Sequence, residues 1–282
     1  MKISLIKTQR ILSPTQISIA DFTINPYRGC PYGCIYCYAQ ENKAIKKKNL
    51  AWGSFVDIKV NAVDLLKKEL KNKKIKRVLL GSTVECYPPQ ENEFCLTQRI
   101  IELLNQNDIA VTILTKSCLL ERDLDLISKN KMNKVYLTIN FDNEDTKNLF
   151  EPKTSRLIDR WNLLELMQKK QIPRRLYIAP YIPGIQNIPA LINKANNLEE
   201  ITVEIYNPLM GNWNALKKIL ETNYPADTFR KIDKIFSDEN NYKGFVEEFS
   251  QELEKLGGKN KNNISLIVPN FKTYYSSQVA YE

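Results

Sequence analysis

Residues 25–39 read Asn-Pro-Tyr-Arg-Gly-Cys-Pro-Tyr-Gly-Cys-Ile-Tyr-Cys-Tyr-Ala. Cys30, Cys34 and Cys37 fall in the spacing C-x3-C-x2-C on a loop rich in glycine, proline and tyrosine. Thiolates this close can converge on one soft metal centre. A [4Fe-4S] cube ordinarily takes four cysteine ligands, so three local ones leave one iron open. A structural zinc ion wants a closed set of four. Its fourth ligand would have to be Cys86, Cys95 or Cys118, none of which sits in a paired C-x2-C knuckle. Three unconnected buried thiols are the remaining reading.

The rest of the chain narrows the chemistry. There is no histidine among its 282 residues, which excludes Ser-His-Asp and Cys-His catalysis and any histidine-ligated metal. Acid and base work falls to carboxylates, lysine, tyrosine or cysteine. Met1–Lys7 is too short an apolar run for a signal peptide, and no stretch approaches the roughly 18 apolar residues of a membrane span. The expectation is a cytoplasmic protein with no membrane partner, in which clustered cysteines are metal ligands or catalysts rather than disulfides. The net charge of +9 attracts polyanions. Enrichment in Lys, Asn and Ile together offers a compositional explanation of the same excess.

Past the cysteine loop, apolar runs alternate with amphipathic stretches. Arg77–Leu80, Ile109–Leu114, Lys134–Ile139, Leu176–Tyr181 and Ile201–Ile205 read as strands buried on both faces. A strand near Ile17–Thr23 makes six. Asn61–Lys71, Thr97–Leu104, Leu119–Ser128, Arg156–Lys170 and Ile188–Asn197 read as the helices between them. The alternation predicts βαβ units, in a doubly wound sheet or a partial α/β barrel. Beyond Tyr206, helices over Asn214–Leu220, Asp227–Phe236 and Gly244–Leu256 precede a loop over 256–263 and a strand over Ile264–Val268. The expected division is a core over 1–206 and a mostly helical C-terminal extension, 207–282, packed on it.

The cysteine motif, with an aromatic before its third cysteine, resembles the signature of the radical S-adenosylmethionine (radical SAM) superfamily. The longer string resembles its spore photoproduct lyase-like branch. Further segments follow in order: Leu79-Leu-Gly-Ser-Thr-Val-Glu-Cys-Tyr-Pro-Pro89, Leu114-Thr-Lys-Ser117, Glu121-Arg-Asp123, Leu137-Thr-Ile-Asn140, Glu151-Pro152 with later arginines, and Ala179-Pro-Tyr-Ile-Pro-Gly-Ile185. The likeness runs over roughly residues 10–213. It implies a partial (β/α)6 TIM-like barrel, an α/β fold with the cysteine loop after the first strand. It also implies a [4Fe-4S] cluster on Cys30, Cys34 and Cys37, with S-adenosyl-L-methionine (SAM) chelating the open iron. Reductive cleavage of SAM would then yield a 5′-deoxyadenosyl radical that abstracts a substrate hydrogen.

By position, the resemblance implies Tyr36 near adenine, and Ser82, Thr83 and Glu85 toward the methionine amino group. It implies Lys116 toward the carboxylate, Thr138 and Asn140 toward the ribose, and Ile182 to Gly184 bordering adenine. Thr138 also reads as strand packing and Glu85 as an ordinary ion-pair member. The lyase's hydrogen-donating cysteine aligns with Ser82 or Thr83, which makes Cys86, a few residues on, a catalytic candidate alongside Glu85. The family's Thr-Asp pair reads Val84-Glu85.

Two substrate classes compete. The preferred one is a ribosomally made peptide, by likeness to the peptide spliceases. A companion protein would then hold the leader peptide and an external flavodoxin- or ferredoxin-type donor would supply the electron. The other is nucleic acid, for which Lys43, Lys46–Lys48 and the run Lys67, Lys68, Lys71, Lys73, Lys74, Lys76 and Arg77 offer a phosphate-binding surface. A solvated helix face explains that run equally simply. A cluster-bearing scaffold is the non-enzymatic reading. Arg156 and Arg160 share a helix face and suggest either pairing with Glu151 or an ordinary helix-surface ion pair, the simpler reading. Tyr274, Tyr275 and Tyr281 suggest a partner anchor or a barrel cap.

Overall fold

The apolar runs fold as a parallel sheet because residues buried on both faces leave no solvent-facing side to alternate. A computed structural model describes all residues except 18, 48, 72, 196–197, 261–262, 272–275 and 282, with backbone alone over 258–260 and 276–281. In chain order the elements are β1 (Lys2–Ile6), β2 (Leu12–Pro14), β3 (Phe22–Ile24), β4 (Tyr27–Arg28), β5 (Phe55–Lys59), α1 (Ala62–Leu70) and β6 (Arg77–Leu80). Then come α2 (Glu91–Phe94), α3 (Leu96–Gln106), β7 (Ala110–Thr115), α4 (Leu124–Ser128), β8 (Lys134–Thr138), α5 (Glu144–Phe150) and α6 (Leu157–Lys169). The remainder is β9 (Arg174–Tyr181), α7 (Ile188–Lys194), β10 (Glu200–Ile205), α8 (Trp213–Asn223), α9 (Ala226–Ser237), α10 (Glu239–Asn260), β11 (Ile264–Pro269) and β12 (Ser276–Tyr281). No helix among the described residues is long and apolar enough to cross a membrane.

The chain divides into two compact units, each drawn from several segments. The first holds Met1–Gly33, Asn42–Leu137 and Lys153–Arg174. Its sheet begins with the antiparallel pair β2–β3, Leu12 opposite Ile24. From β3 it continues in parallel: Phe22 opposite Val78, Leu79 opposite Thr112, and Thr115 opposite Leu137. Val78, Leu79 and Leu80 are wholly buried, as are Leu66 of α1 and Ile100, Ile101 and Leu104 of α3. A second, small sheet pairs β5 with β1 in parallel and with β4 antiparallel, Arg28 opposite Asp57.

The second unit holds Cys34–Glu41, Thr138–Pro152 and Arg175–Glu282. There β9, β10 and β11 run parallel, and β12 returns antiparallel to β11. The Ile139 amide donates to the Tyr177 carbonyl at 3.2 Å, so the chain leaving β8 runs beside β9.

The six expected strands are β3 and β6 to β10, most within a residue or two of their expected ends. Several particulars differ. The strand expected near Ile17–Thr23 starts at Phe22, because Asp21 is held in a turn by the Lys76 and Arg77 amides. The expected helix Leu119–Ser128 is a 3-10 turn over Cys118–Asp123 followed by α4. The loop expected from residue 256 is the end of α10, which carries on to Asn260. Two glycines cost a helix about 1 kcal/mol each, and its apolar face, with Phe249 and Leu253 buried, outweighs that.

Candidate functional site

In the first unit, the cysteine loop is shaped before its first thiol. Gly29 has φ +78°, and a Cβ there would lie 2.5 Å from the Phe55 ring. Gly33 (φ +62°) faces Gly53 (φ +83°), and a Cβ on Gly33 would lie 3.2 Å from the Gly53 Cα. Only glycine tolerates both the backbone angle and the approach. Lys59 Nζ donates to the Asn25 carbonyl at 2.7 Å. Tyr27 donates its hydroxyl to buried Glu91, and burial pushes the phenol pKa upward, so it remains a donor. Cys30 is buried at the loop's end.

The turn after β6 meets the head of this loop. The Asn25 amide donates to Ser82 Oγ at 3.5 Å, and its Oδ1 accepts from the Thr83 amide at 3.4 Å. Gly81, at φ +80°, leaves no room for a Cβ, which would fall 2.1 Å from the Leu114 carbonyl oxygen. Glu85 is buried and braces the turn after β7. Its Oε1 accepts from Thr115 Oγ1 at 2.6 Å and the Tyr87 amide at 2.9 Å, and its Oε2 from the Lys116 amide at 3.0 Å. The structure thus groups Ser82, Thr83, Glu85 and Lys116 at the C-terminal ends of β6 and β7. These Glu85 bonds are backbone and hydroxyl contacts. The Cys86 thiol is wholly buried, 3.7 Å from the Leu114 carbonyl, and burial pushes its pKa up.

In the second unit, Cys34 and Cys37 frame a tight turn, the Cys37 amide donating to the Cys34 carbonyl at 3.2 Å. The Ile35 amide reaches the Phe150 carbonyl at 2.9 Å. Between the cysteines, Tyr36 turns inward and donates its hydroxyl to Glu151. Asn140 Nδ2 lies 2.8 Å from both Tyr36 Oη and Glu151 Oε1, and 2.9 Å from the Ala179 carbonyl. Its Oδ1 accepts from the Ala179 amide at 2.7 Å. Asn140 and Glu151 have no solvent exposure, and Thr138 is 3% exposed. One strand over, the Ile182 amide donates to Gln186 Oε1 at 2.7 Å, whose Nε2 donates to the Pro180 carbonyl at 2.6 Å. Gly184 takes φ +74° with open space where a Cβ would point. Tyr36, Thr138, Asn140, Ile182 and Gly184 therefore gather at the C-terminal ends of β8 and β9, where parallel α/β folds bind ligands.

Sequence reasoning missed Asn25, Glu151 and Gln186 as partners in these networks. Asn25 stood inside the quoted loop, and Glu151 opened a quoted segment.

Other expectations resolve simply. Arg156 is exposed and pairs with Asp159, whereas Arg160 is wholly buried and donates to Thr154 and to the Ser155 carbonyl. Arg156 thus makes an ordinary helix-surface ion pair, and Arg160 does not share that surface. Lys67, Lys68, Lys71, Lys73, Lys74 and Lys76 are exposed, but Arg77 turns back to the Met132 carbonyl at 2.7 Å. This face sits at the N-terminal end of β6, the opposite end from Ser82. Lys47 pairs with buried Asp57. Lys48, Tyr274 and Tyr275 lie outside the described residues, and Tyr281 is described in backbone alone.

The donor set suits an iron–sulfur cluster: three thiols outside any disulfide, on a glycine-shaped loop, in a chain without histidine. Among the described residues no three thiols or carboxylates close round a single metal ion. A cubane places each thiolate on a separate iron.

Comparison with known proteins agrees. An uncharacterized protein of Methanocaldococcus jannaschii is 31% identical over 257 residues, 90% of this chain and 94% of that protein. An uncharacterized protein of Mycobacterium tuberculosis is 34% identical over 112 residues, 38% of this chain and 33% of that one. Spore photoproduct lyase structures share the fold. A cysteine-to-serine variant has TM-score 0.59 at 19% identity, covering 79% of this chain and 66% of that one. The lyase complexed with dinucleoside spore photoproduct has TM-score 0.58 at 18% identity over the same shares. This chain thus spans about two thirds of the lyase's length. The profile of the radical SAM superfamily matches residues 24–189, more than half of the sequence and all three clustered cysteines, and the chain belongs to that superfamily.

Proposed function

We propose that this chain is a radical SAM enzyme acting on a macromolecule, a peptide in preference to DNA. The observation that carries the reading is the buried set Tyr36, Asn140 and Glu151, which ties the residue between two cluster cysteines to the C-terminal ends of β8 and β9. When bound, the cluster and SAM supply one-electron chemistry that ends with a hydrogen atom taken from the substrate. The chain's own work is to hold and to exclude. Cys30, Cys34 and Cys37 hold the cluster. Ser82, Thr83 and Lys116 offer polar groups to the methionine part of SAM, while Glu85 fixes the turns that carry them. Asn140, wholly buried, fixes the ends of β8 and β9 that flank the ribose, and Ile182 to Gly184 border the adenine. Buried walls keep water and stray hydrogen donors away.

Two observations favour a peptide. By the motif resemblance Ser82 or Thr83 takes the place of the lyase's hydrogen-donating cysteine, and Cys86, a few residues on, is wholly buried. The exposed lysines over 67–76 lie at the end of β6 away from Ser82 and Thr83, so that run does not guide a polyanion to them, and Lys43 and Lys46, exposed just past the cysteine loop, add only two charges there. A companion protein for the leader peptide and a flavodoxin- or ferredoxin-type donor belong to this reading. Nucleic acid is the second reading, supported by the shared fold with a lyase that binds a dinucleoside photoproduct.

The test is anaerobic. Iron and sulfide are reconstituted, dithionite and SAM are added, and 5′-deoxyadenosine is measured for wild type and for the C30A/C34A/C37A variant. Candidate peptides and UV-irradiated DNA run in parallel. Wild-type product that the variant lacks is the expected result, with the larger stimulation from peptide. No product under any condition would leave a cluster-bearing scaffold, and stimulation by DNA alone would reverse the substrate choice.

A further inference from the structure

Just past the C-terminal end of β10, within the second unit, a cavity of about 270 Å3 opens beside a cluster of aromatic rings. Tyr206, 1% exposed, forms its floor, and Trp213, Phe236, Tyr242 and Phe271 stand in its walls. Neighbouring rings lie 5.7 to 6.2 Å apart, with Phe236 edge-on to both Tyr206 and Trp213. Gly211 makes the floor possible, since a Cβ there would fall 2.4 Å from the Tyr206 ring and hydroxyl.

Two features of this cavity are unspent. The Tyr206 hydroxyl is buried without a hydrogen-bond partner among the described residues, a situation native proteins rarely leave unfilled. Asp233 of α9, exposed at the cavity's mouth, is the charged side chain among its lining residues, and no cation pairs with it among the described residues. Its neighbour Arg230 is taken by Asp227.

The cavity's place matters. The Tyr206 amide donates to the Tyr181 carbonyl at 2.8 Å, so it lies one strand from Ile182 and Gly184. Asn212, which caps α8 through the Ala215 amide, donates its Nδ2 to Gln40 Oε1 at 3.0 Å, three residues past Cys37.

Aromatic faces attract cations through their quadrupole, and a nearby carboxylate adds charge attraction. Apolar walls accept the methylene stem of a long side chain. A nucleotide would bring its phosphate toward Asp233, an unfavourable match of charges. We infer that this cavity is a specificity pocket for an alkylammonium group, the side chain of a lysine in the peptide substrate. The inference rests on the peptide reading above and extends it by naming a residue the enzyme selects.

The test is calorimetric titration of the reconstituted protein with three probes: lysine blocked at both ends, norleucine blocked likewise, and thymidine 5′-monophosphate. Blocked lysine is expected to bind about tenfold or more tightly than blocked norleucine, which has the same stem without the charge. Asp233→Asn is expected to lose about threefold to fivefold of the lysine affinity, with unchanged circular dichroism. Equal binding of lysine and norleucine, indifference to D233N, or tighter binding of the nucleotide would overturn the proposal. Titration reads binding and not turnover. A protein that binds lysine yet never cleaves SAM keeps its pocket and loses the catalytic reading, and the converse outcome is equally distinct.

Discussion

Asn140 spends both ends of its amide inside the second unit, exchanging bonds with both backbone groups of Ala179 and meeting Tyr36 and Glu151. Leaving a buried polar partner without its bond costs about 1–3 kcal/mol. Asn140→Ala is therefore expected to destabilise the protein by about 2 kcal/mol in urea titration, and to weaken SAM binding as the ribose-facing surface loosens. Asn140→Asp sets a second carboxylate beside Glu151, and its loss is expected to be larger. An Asp variant as stable as wild type would remove the network from the argument. At this scale the sequence was uneven. The three cysteines were legible because their spacing is local. The bond from Tyr36 to Glu151 joins residues 115 apart in the chain, and no local pattern announces it. Cys86 illustrates the converse: spacing put it near the reaction, while burial under Gly81 and Leu114 seals its thiol away.

Glu91, wholly buried on α2, is the hub of an element-scale clamp. It accepts from Tyr27 on β4, from the Thr97 and Gln98 amides that open α3, and from Arg122 Nη2 at 3.0 Å in the 3-10 turn before α4. Arg122 also bonds Asp123 at 2.8 Å. Stranding a buried charge costs about 3–5 kcal/mol, whereas removing both partners costs much less. Arg122→Met is expected to lose about 3 kcal/mol, and Glu91→Gln with Arg122→Met to recover part of it. A double variant no better than the single one would rule out coupling. A milder tie sits at Asp21, whose carboxylate accepts the Lys76 and Arg77 amides, and these bonds hold its pKa below the ordinary value. A depressed carboxyl pKa stabilises the fold above the unfolded value, about 3.9, and that contribution vanishes as pH falls through the folded value. The stability gap between wild type and Asp21→Asn is expected to be steady near neutrality and to close below about pH 4; a pH-independent gap in thermal melts would contradict it. Element positions were legible where apolar runs were continuous, as in β6. They were not where short pieces depend on partners: β5 is completed by β1 and β4, and α5 rests on its Asn143 cap and buried Phe150.

At the scale of the whole chain, the net charge of +9 is the property the sequence displayed most openly and explained least. In the first unit, Lys67, Lys68 and Lys71 stand exposed on and just after α1, at the end of β6 away from Ser82 and Thr83. A surface of that kind binds any polyanion by releasing counterions, with affinity falling by about 0.9 log units per phosphate contact for each tenfold rise in salt. The protein is therefore expected to bind duplex DNA weakly, without sequence preference, and to release it as salt rises. Replacing Lys67, Lys68 and Lys71 by glutamate is expected to weaken that binding about tenfold or more, while 5′-deoxyadenosine formation with a peptide substrate stays at the wild-type rate. The two readouts separate attraction from catalysis. If the triple variant instead lost only the deoxyadenosine formed with UV-irradiated DNA, the basic face would be a substrate dock and DNA the substrate, because charge at the far end of β6 would then be steering the molecule that reacts.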